Sequence, residues 1–292
     1  MSVDILQEKI RKLKNPSVLE LNLRPSQLPK HILDAGSSAA GAYGTFCREL
    51  LVAMKGVVPG VRVSFSSFAL LGPEGLEQMI QVLKFAKEQG FYVLLDSPEI
   101  LSPDGAIAAA ESIFGEDSLY FCDGLVISGY AGSDCIKPFL PYCKEKKKDI
   151  FVVARTANKS APELQDLLAG SRLVHMAAAD HVNRYGADTA GKFGYTRVGV
   201  LAAASSAESL RTLRTKYPKL FFMVDGFDYP QSNAKNCAQA FDKFGHGAAV
   251  CAGSSITCAW KQGESEGEDF VQQALAAAER MKKNLTRYTT IL

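Results

Sequence analysis

The stretch FYVLLDSPEILSPDG, residues 91–105, sets five apolar or aromatic residues directly before Asp96, then breaks into Ser97, Pro98 and Glu99. A continuous apolar run of this length, ended by a carboxylate and a proline, reads as a strand covered on both faces. Seven further runs have the same character: SVLELN (17–22), VRVSF (61–65), DGLVIS (123–128), IFVVAR (150–155), RVGVLAA (197–203), LFFMVD (220–225) and AAVCAG (248–253). Between them lie segments with helical spacing of apolar residues. GPEGLEQMIQVLKFAKEQG (72–90) has Pro73 early and Gly90 at its end. SSAESLRTLRTKYP (205–218) opens on two serines suited to capping and closes at Pro218. Eight such strands alternating with helices predict an α/β fold, a (β/α)8 TIM barrel in one domain over 1–292. Residues 1–16 form its N-terminal helix and 264–292 its C-terminal helix. A doubly wound open sheet is the main rival, and no Gly-rich dinucleotide fingerprint follows the first strand to support it.

Composition narrows the function classes. The chain is 47% hydrophobic and 22% charged, with 33 basic against 31 acidic residues. That balance gives no electrostatic reason to expect nucleic acid or a membrane surface as partner. No apolar run approaches the roughly 20 residues of a membrane span. The N-terminal segment has mixed charge and lacks a signal peptide's apolar centre. Seven cysteines without pairwise spacing, no CxxC and four scattered histidines predict free thiols, a cytoplasmic location and no metal or other cofactor. The KEKKK run (144–148) reads as a solvated helix face.

A barrel of this kind places its chemistry at the C-terminal ends of the strands and in the loops that follow. Those positions hold Glu20 and Asn22; Arg62 and Ser64; Asp96 and Glu99; Ser128 and Tyr130. The second half adds Arg155, Thr156 and Asn158; Ser205; Asp225, Gly226, Asp228 and Gln231; Ser254 and Ser255. The ring is polar and mixed in charge. Each of these residues alone is more readily explained as a helix cap or a rim hydrogen bond than as a catalytic group.

Several stretches also resemble one family. IKPFLPYC (136–143), IFVVARTANKSAPELQDL (150–167) and HVNRYG (181–186) are similar to the bacterial long-chain branch of the orotidine 5′-phosphate decarboxylases. LNLRPSQLP (21–29) and FALLGPEGLEQM (68–79) extend the resemblance in the same register. It implies a barrel that forms a homodimer, with a small anionic or nucleotide-like ligand at the strand ends. In the family, the third strand ends in Asp-x-Lys-x-x-Asp, whose lysine protonates the carbanion left when carbon dioxide departs. Here Asp96 fills the first position, Pro98 the lysine position and Leu101 the second aspartate.

Other family positions depart in the same sense. The first-strand aspartate falls on Asn22 and the second-strand lysine on Arg62. The serine after the fifth strand falls on Ala157. The glycine-rich phosphate loop is replaced around VDGFDYPQSN (224–233), where Gly226 remains, Asp225 and Asp228 bring negative charge, and one insertion would let Gln231 recover the loop glutamine. The phosphate-clamping arginine falls on Ser255. The resemblance thus implies a homologue that has lost its proton donor and phosphate clamp and serves as a ligand-binding or regulatory protein. Acid–base chemistry of another kind on the same barrel, with Asp96 and Glu99 or Asp225 and Asp228 as the carboxylate pair, is the first alternative. Residual decarboxylation in pyrimidine biosynthesis is the second. The added acids would have to pair with Arg62 and Arg155 or reach solvent, since burying them unpaired costs several kcal/mol.

Overall fold

The computed structural model describes residues 2–97, 100–263 and 265–292, so Pro98 and Glu99 lie outside the described residues. Eight parallel strands close into a barrel: β1 (Ser17–Leu21), β2 (Gly60–Ser64), β3 (Tyr92–Asp96), β4 (Gly124–Ser128), β5 (Asp149–Val153), β6 (Thr196–Ala203), β7 (Leu220–Asp225) and β8 (Ala248–Ala252). β1 pairs with both β2 and β8, which completes the ring. Nearly every strand residue is buried, as continuous apolar runs require when helices cover the outside and side chains fill the inside.

Two-residue alternation divides the apolar side chains into two cores. Leu19, Val61, Val63, Val93, Leu125 and Val152 belong to the larger cluster with the surrounding helices. Val18, Leu94, Val126, Phe151, Leu201, Met223 and Cys251 form the second, inside the barrel. The helix Val3–Leu13 contributes Val3, Leu6 and Ile10 to that inner cluster. It packs beside Tyr92 and Phe221 at the N-terminal ends of β3 and β7, and so closes the floor of the barrel. The same alternation leaves the inward positions at the opposite end to Glu20, Arg62, Asp96, Ser128 and Asp225.

The helix signals resolve as the sequence predicts. Gly72–Glu88 begins with Pro73 in its first turn and is followed by Gly90 at φ +86°. Ala207–Lys216 is capped by Ser206, whose side chain accepts from the Ser209 amide. The helices nearest the two ends of the chain span Val3–Leu13 and Phe270–Thr286, shorter than the expected 1–16 and 264–292. The lysine run needs correction. The helix there ends at Glu145, and Lys146–Lys148 pass through a turn with Lys147 at φ +52°. Lys148 turns inward to donate to the Cys122 carbonyl at 2.7 Å, so the run is only in part a helix face. All seven cysteines are free thiols, six of them buried. Among the described residues no helix is long and apolar enough to cross a membrane.

Candidate functional site

The β1–β2 register sets Glu20 directly beside Arg62, and the β2–β3 register sets Ser64 beside Asp96. Arg62 is 5% exposed and projects into the barrel mouth, where a buried guanidinium requires counter-charge. Its Nη2 donates to Asp96 Oδ2 at 2.8 Å and its Nη1 to Asp225 Oδ1 at 2.7 Å. Glu20 Oε1 lies 3.6 Å from the same Nη1. Burial by itself would lower the Arg62 pKa, but Asp96, Glu20 and Asp225 together outweigh it and hold the value well above normal. Arg62 is therefore a fixed cation spent on the carboxylates of Asp96 and Asp225, with the Glu20 carboxyl at longer range.

Glu20 is the least compensated of the three. Burial pushes its pKa up from 4.5 to about 8; Arg62 opposes the rise, while Asp225, Asp96 and Asp228 add to it. At neutral pH this carboxyl is mostly protonated. The Cys251 thiol beside it is also pushed well up by burial, which leaves it unreactive.

Two cavities open on this cluster. One, of about 270 Å³, sits over the mouth and is lined by Arg62, Asp96, Ser128, Tyr130, Thr156, Gln165 and Asp225 above an apolar floor of Val126, Val153 and Leu201. The other, of about 400 Å³, lies between β1 and the loop after β7 and is lined by Glu20, Asn22, Arg24, Gln27, Asp225, Gly226, Asp228, Tyr229 and Ser254, among others. Asp225 borders both. No lysine lines either cavity among the described residues.

Of the residues singled out from sequence, Arg62, Asp96, Ser128, Thr156 and Asp225 meet at the mouth, while Asn22, Asp225, Gly226 and Asp228 line the second cavity. Asp228 accepts from the Gly253 amide at 2.8 Å and is exposed. Gly226, at φ +76°, would place a Cβ 2.1 Å from the Ala157 Cβ, so the loop after β7 touches the loop after β5 at a point where only glycine fits.

Arg155 lies outside both linings. Its Nε and Nη2 grip Asp166 at 3.0 and 2.9 Å, and its Nη1 reaches Ser205 at 3.4 Å. The Arg155 bond is the largest influence holding the Asp166 carboxyl below its usual range. Asn158 accepts from the Thr156 hydroxyl at 2.5 Å and faces solvent. Gln231 and Ser255 line neither cavity, and Leu101 is 60% exposed. The expected carboxylate pair Asp225 and Asp228 shares one cavity; the pair with Glu99 falls on an undescribed residue.

Sequence reasoning did not single out Arg24, Gln27, Gln165, Asp166 or Tyr229. Gln165 is fastened at the mouth by accepting from the Thr156 amide at 2.8 Å. The ELQDL stretch carried both Gln165 and Asp166, but nothing in its spacing distinguishes a fastening from a surface pair.

The fold and this site define a single (β/α)8 barrel with an ionic cluster and two adjoining cavities at the C-terminal strand ends. No protein-family model matches the chain, but individual proteins do. It is 31% identical over 280 residues to "Orotidine 5'-phosphate decarboxylase" of Rhodopirellula baltica, covering 91% of this chain and 93% of that protein. It is 26% identical to the protein of the same name from Clostridium novyi, over 98% of both chains. The solved structure of the putative orotidine-monophosphate-decarboxylase from Toxoplasma gondii superposes with a TM-score of 0.79 at 20% identity, covering 98% of this chain and 97% of that one. The chain belongs to the orotidine 5′-phosphate decarboxylase family.

Proposed function

We propose that this protein binds a small ligand at the strand ends without decarboxylating orotidine 5′-phosphate, and that it serves as a ligand-binding or regulatory homologue. The observation that carries this reading is the Arg62 cluster. The mouth holds one cation already bonded to Asp96 and Asp225, and no lysine lines it among the described residues. A guanidinium does not release a proton near neutral pH, so Arg62 cannot stand in for an ammonium proton donor. The sequence supports the same reading, with Pro98 and Leu101 following Asp96. Loss of a positioned general acid typically removes about 100- to 10,000-fold in rate. Asp225 at the end of β7 and Asp228 in the loop after it bring carboxylates, not donors, to the place a phosphate group would occupy. A homodimer joined by rim loops and adjacent helices, and a cytoplasmic location, complete the proposal.

One observation favours acid–base chemistry of another kind. Glu20 is a carboxylic acid whose proton is retained to about pH 8, beside the carboxylates of Asp96 and Asp225. The deciding assay follows orotate absorbance with purified protein and orotidine 5′-phosphate, then repeats it with Pro98→Lys, Leu101→Asp and Ser255→Arg combined. Turnover at background by the natural chain and a gain in the combined variant are expected. Robust turnover by the natural chain overturns the reading.

A further inference from the structure

We infer that a cavity outside the barrel wall is a second binding site, one that takes a small primary amine in its ammonium form on His175 and Glu208. The cavity, of about 290 Å³, lies between the first turns of the helices Val174–Gly186 and Ala207–Lys216, which follow β5 and β6. It shares no lining residue with the two strand-end cavities.

The first observation is His175. Its side chain is 2% exposed, yet it lines the cavity. Nδ1 lies 2.9 Å from the Gln165 carbonyl oxygen and 3.1 Å from Asp166 Oδ1. Both neighbours accept, so Nδ1 carries a proton and the neutral ring keeps its lone pair on Nε2. The ring is held in place: the His175 amide also donates to the Gln165 carbonyl, at 3.0 Å, and Arg155 grips Asp166. Nε2 itself has no partner among the described residues. A ring nitrogen withdrawn from bulk water and left without a bond gains from a donor that enters the cavity.

The second observation is charge. No lysine or arginine lines the cavity among the described residues. The Asp166 carboxylate is already matched by Arg155. Glu208 is not matched: it makes no ion pair or hydrogen bond among the described residues. Arg211, one turn further along the helix, borders the neighbouring groove, and Lys216 is paired with Asp180 at 3.2 Å. The helix dipole steadies Glu208 in its first turn without supplying a counter-ion.

The remaining lining suits the same ligand. The Ser206 and Ser209 hydroxyls bond each other at 2.9 Å, Thr212 adds another hydroxyl oxygen, and Leu173 and Met176 offer cover to a short alkyl chain. An ammonium group brings three donors and a positive charge to a lone pair, a carboxylate and hydroxyl oxygens. A carboxylate or phosphate group would meet Glu208 with like charge. The site also stands one residue from the mouth, because Gln165, whose carbonyl the His175 ring holds, lines the mouth cavity with its side chain.

The test uses the full chain with isotope-labelled histidine, whose four imidazole Hε1 signals are followed by NMR. The His175 signal is the one lost in His175→Gln or, should that variant not fold, the one displaced in Met176→Leu. Titration with butylammonium chloride is expected to shift the His175 signal saturably and leave the other three in place. Butanol, with the same chain and no charge, should bind about threefold more weakly or less, and butyrate should not bind, a difference of the size of one exposed ion pair. Glu208→Gln, an exposed change, should weaken butylammonium by about the same factor and leave butanol unaffected. Absence of a saturable His175 shift overturns the inference. So does binding of butanol or butyrate as tight as that of butylammonium, or butylammonium binding that Glu208→Gln leaves unchanged.

Discussion

Replacing Glu20 by Gln should make the protein more stable at neutral and alkaline pH, by an amount that grows with pH. The folded chain holds the Glu20 proton to about pH 8, burial being the chief cause, whereas in the unfolded chain it leaves near 4.5. Below pH 4.5 both states are protonated and the group adds no pH dependence. Between 4.5 and 8 the unfolded state releases the proton and the folded state does not, so stability falls as pH rises; above 8 the loss levels off. At about 1.4 kcal/mol for each tenfold change in protonation, the full interval corresponds to roughly 5 kcal/mol. The stretch from pH 5 to pH 8 corresponds to roughly 4 kcal/mol of that. Glu20 borders a cavity and its side chain is 12% exposed, so hydration of the ionised carboxylate returns part of the cost. We therefore expect about 2 kcal/mol or more. Glutamine has nearly the same shape and no charge, which isolates the ionisation. Urea unfolding of both proteins at pH 5 and pH 8 measures it, and the advantage of Glu20→Gln should widen by that amount. A gap that is the same at both pH values, or one that narrows, would refute the assignment of Glu20 as a retained acid.

The remaining expectations concern the same rim. Arg62→Met should destabilise the fold by about 3–5 kcal/mol, because it leaves Asp96 and Asp225 without their bonded cation, and adding Asp225→Asn should recover part of the loss; strict additivity of the two changes in denaturant unfolding would deny the coupling. Gly226→Ala should cost about 1–3 kcal/mol from its positive φ and its collision with Ala157, and Ala157→Gly in the same chain should relieve only the collision. A thermal-unfolding scan of the two proteins checks this, with equal midpoints counting against it. Sedimentation at micromolar concentration should give twice the 31.6 kDa chain mass, and a clean monomer would remove the proposed dimer.

The barrel was legible in the sequence because each strand is coded locally. A continuous apolar run is a strand buried on both faces whatever its partners, and eight of them separated by capped helices leave few other ways to bury the whole set. The chain's own residues also marked the rim, since a polar residue ending such a run must sit where the strand leaves the core. Position in the motif was legible too: Pro98 and Leu101 after Asp96 are facts of sequence.

Partnership at the rim was legible only in part: the sequence predicts the Asp96–Arg62 pair, which the structure contains. The Arg62–Asp96 pair joins neighbouring strands and is accessible to reasoning on strand order, but Asp225 reaches Arg62 from 163 positions away only because β1 and β8 close the ring. Arg155, which looks equivalent to Arg62 in sequence, turns instead to Asp166 on its own connecting loop. Glu20 reads as one more rim acid until the register sets it beside Arg62 and the fold removes its water, and these two circumstances decide whether it keeps its proton. Local sequence determines which residues leave water. Tertiary closure determines which charges they meet when they do, because Coulomb energies depend on distances that no spacing along the chain encodes.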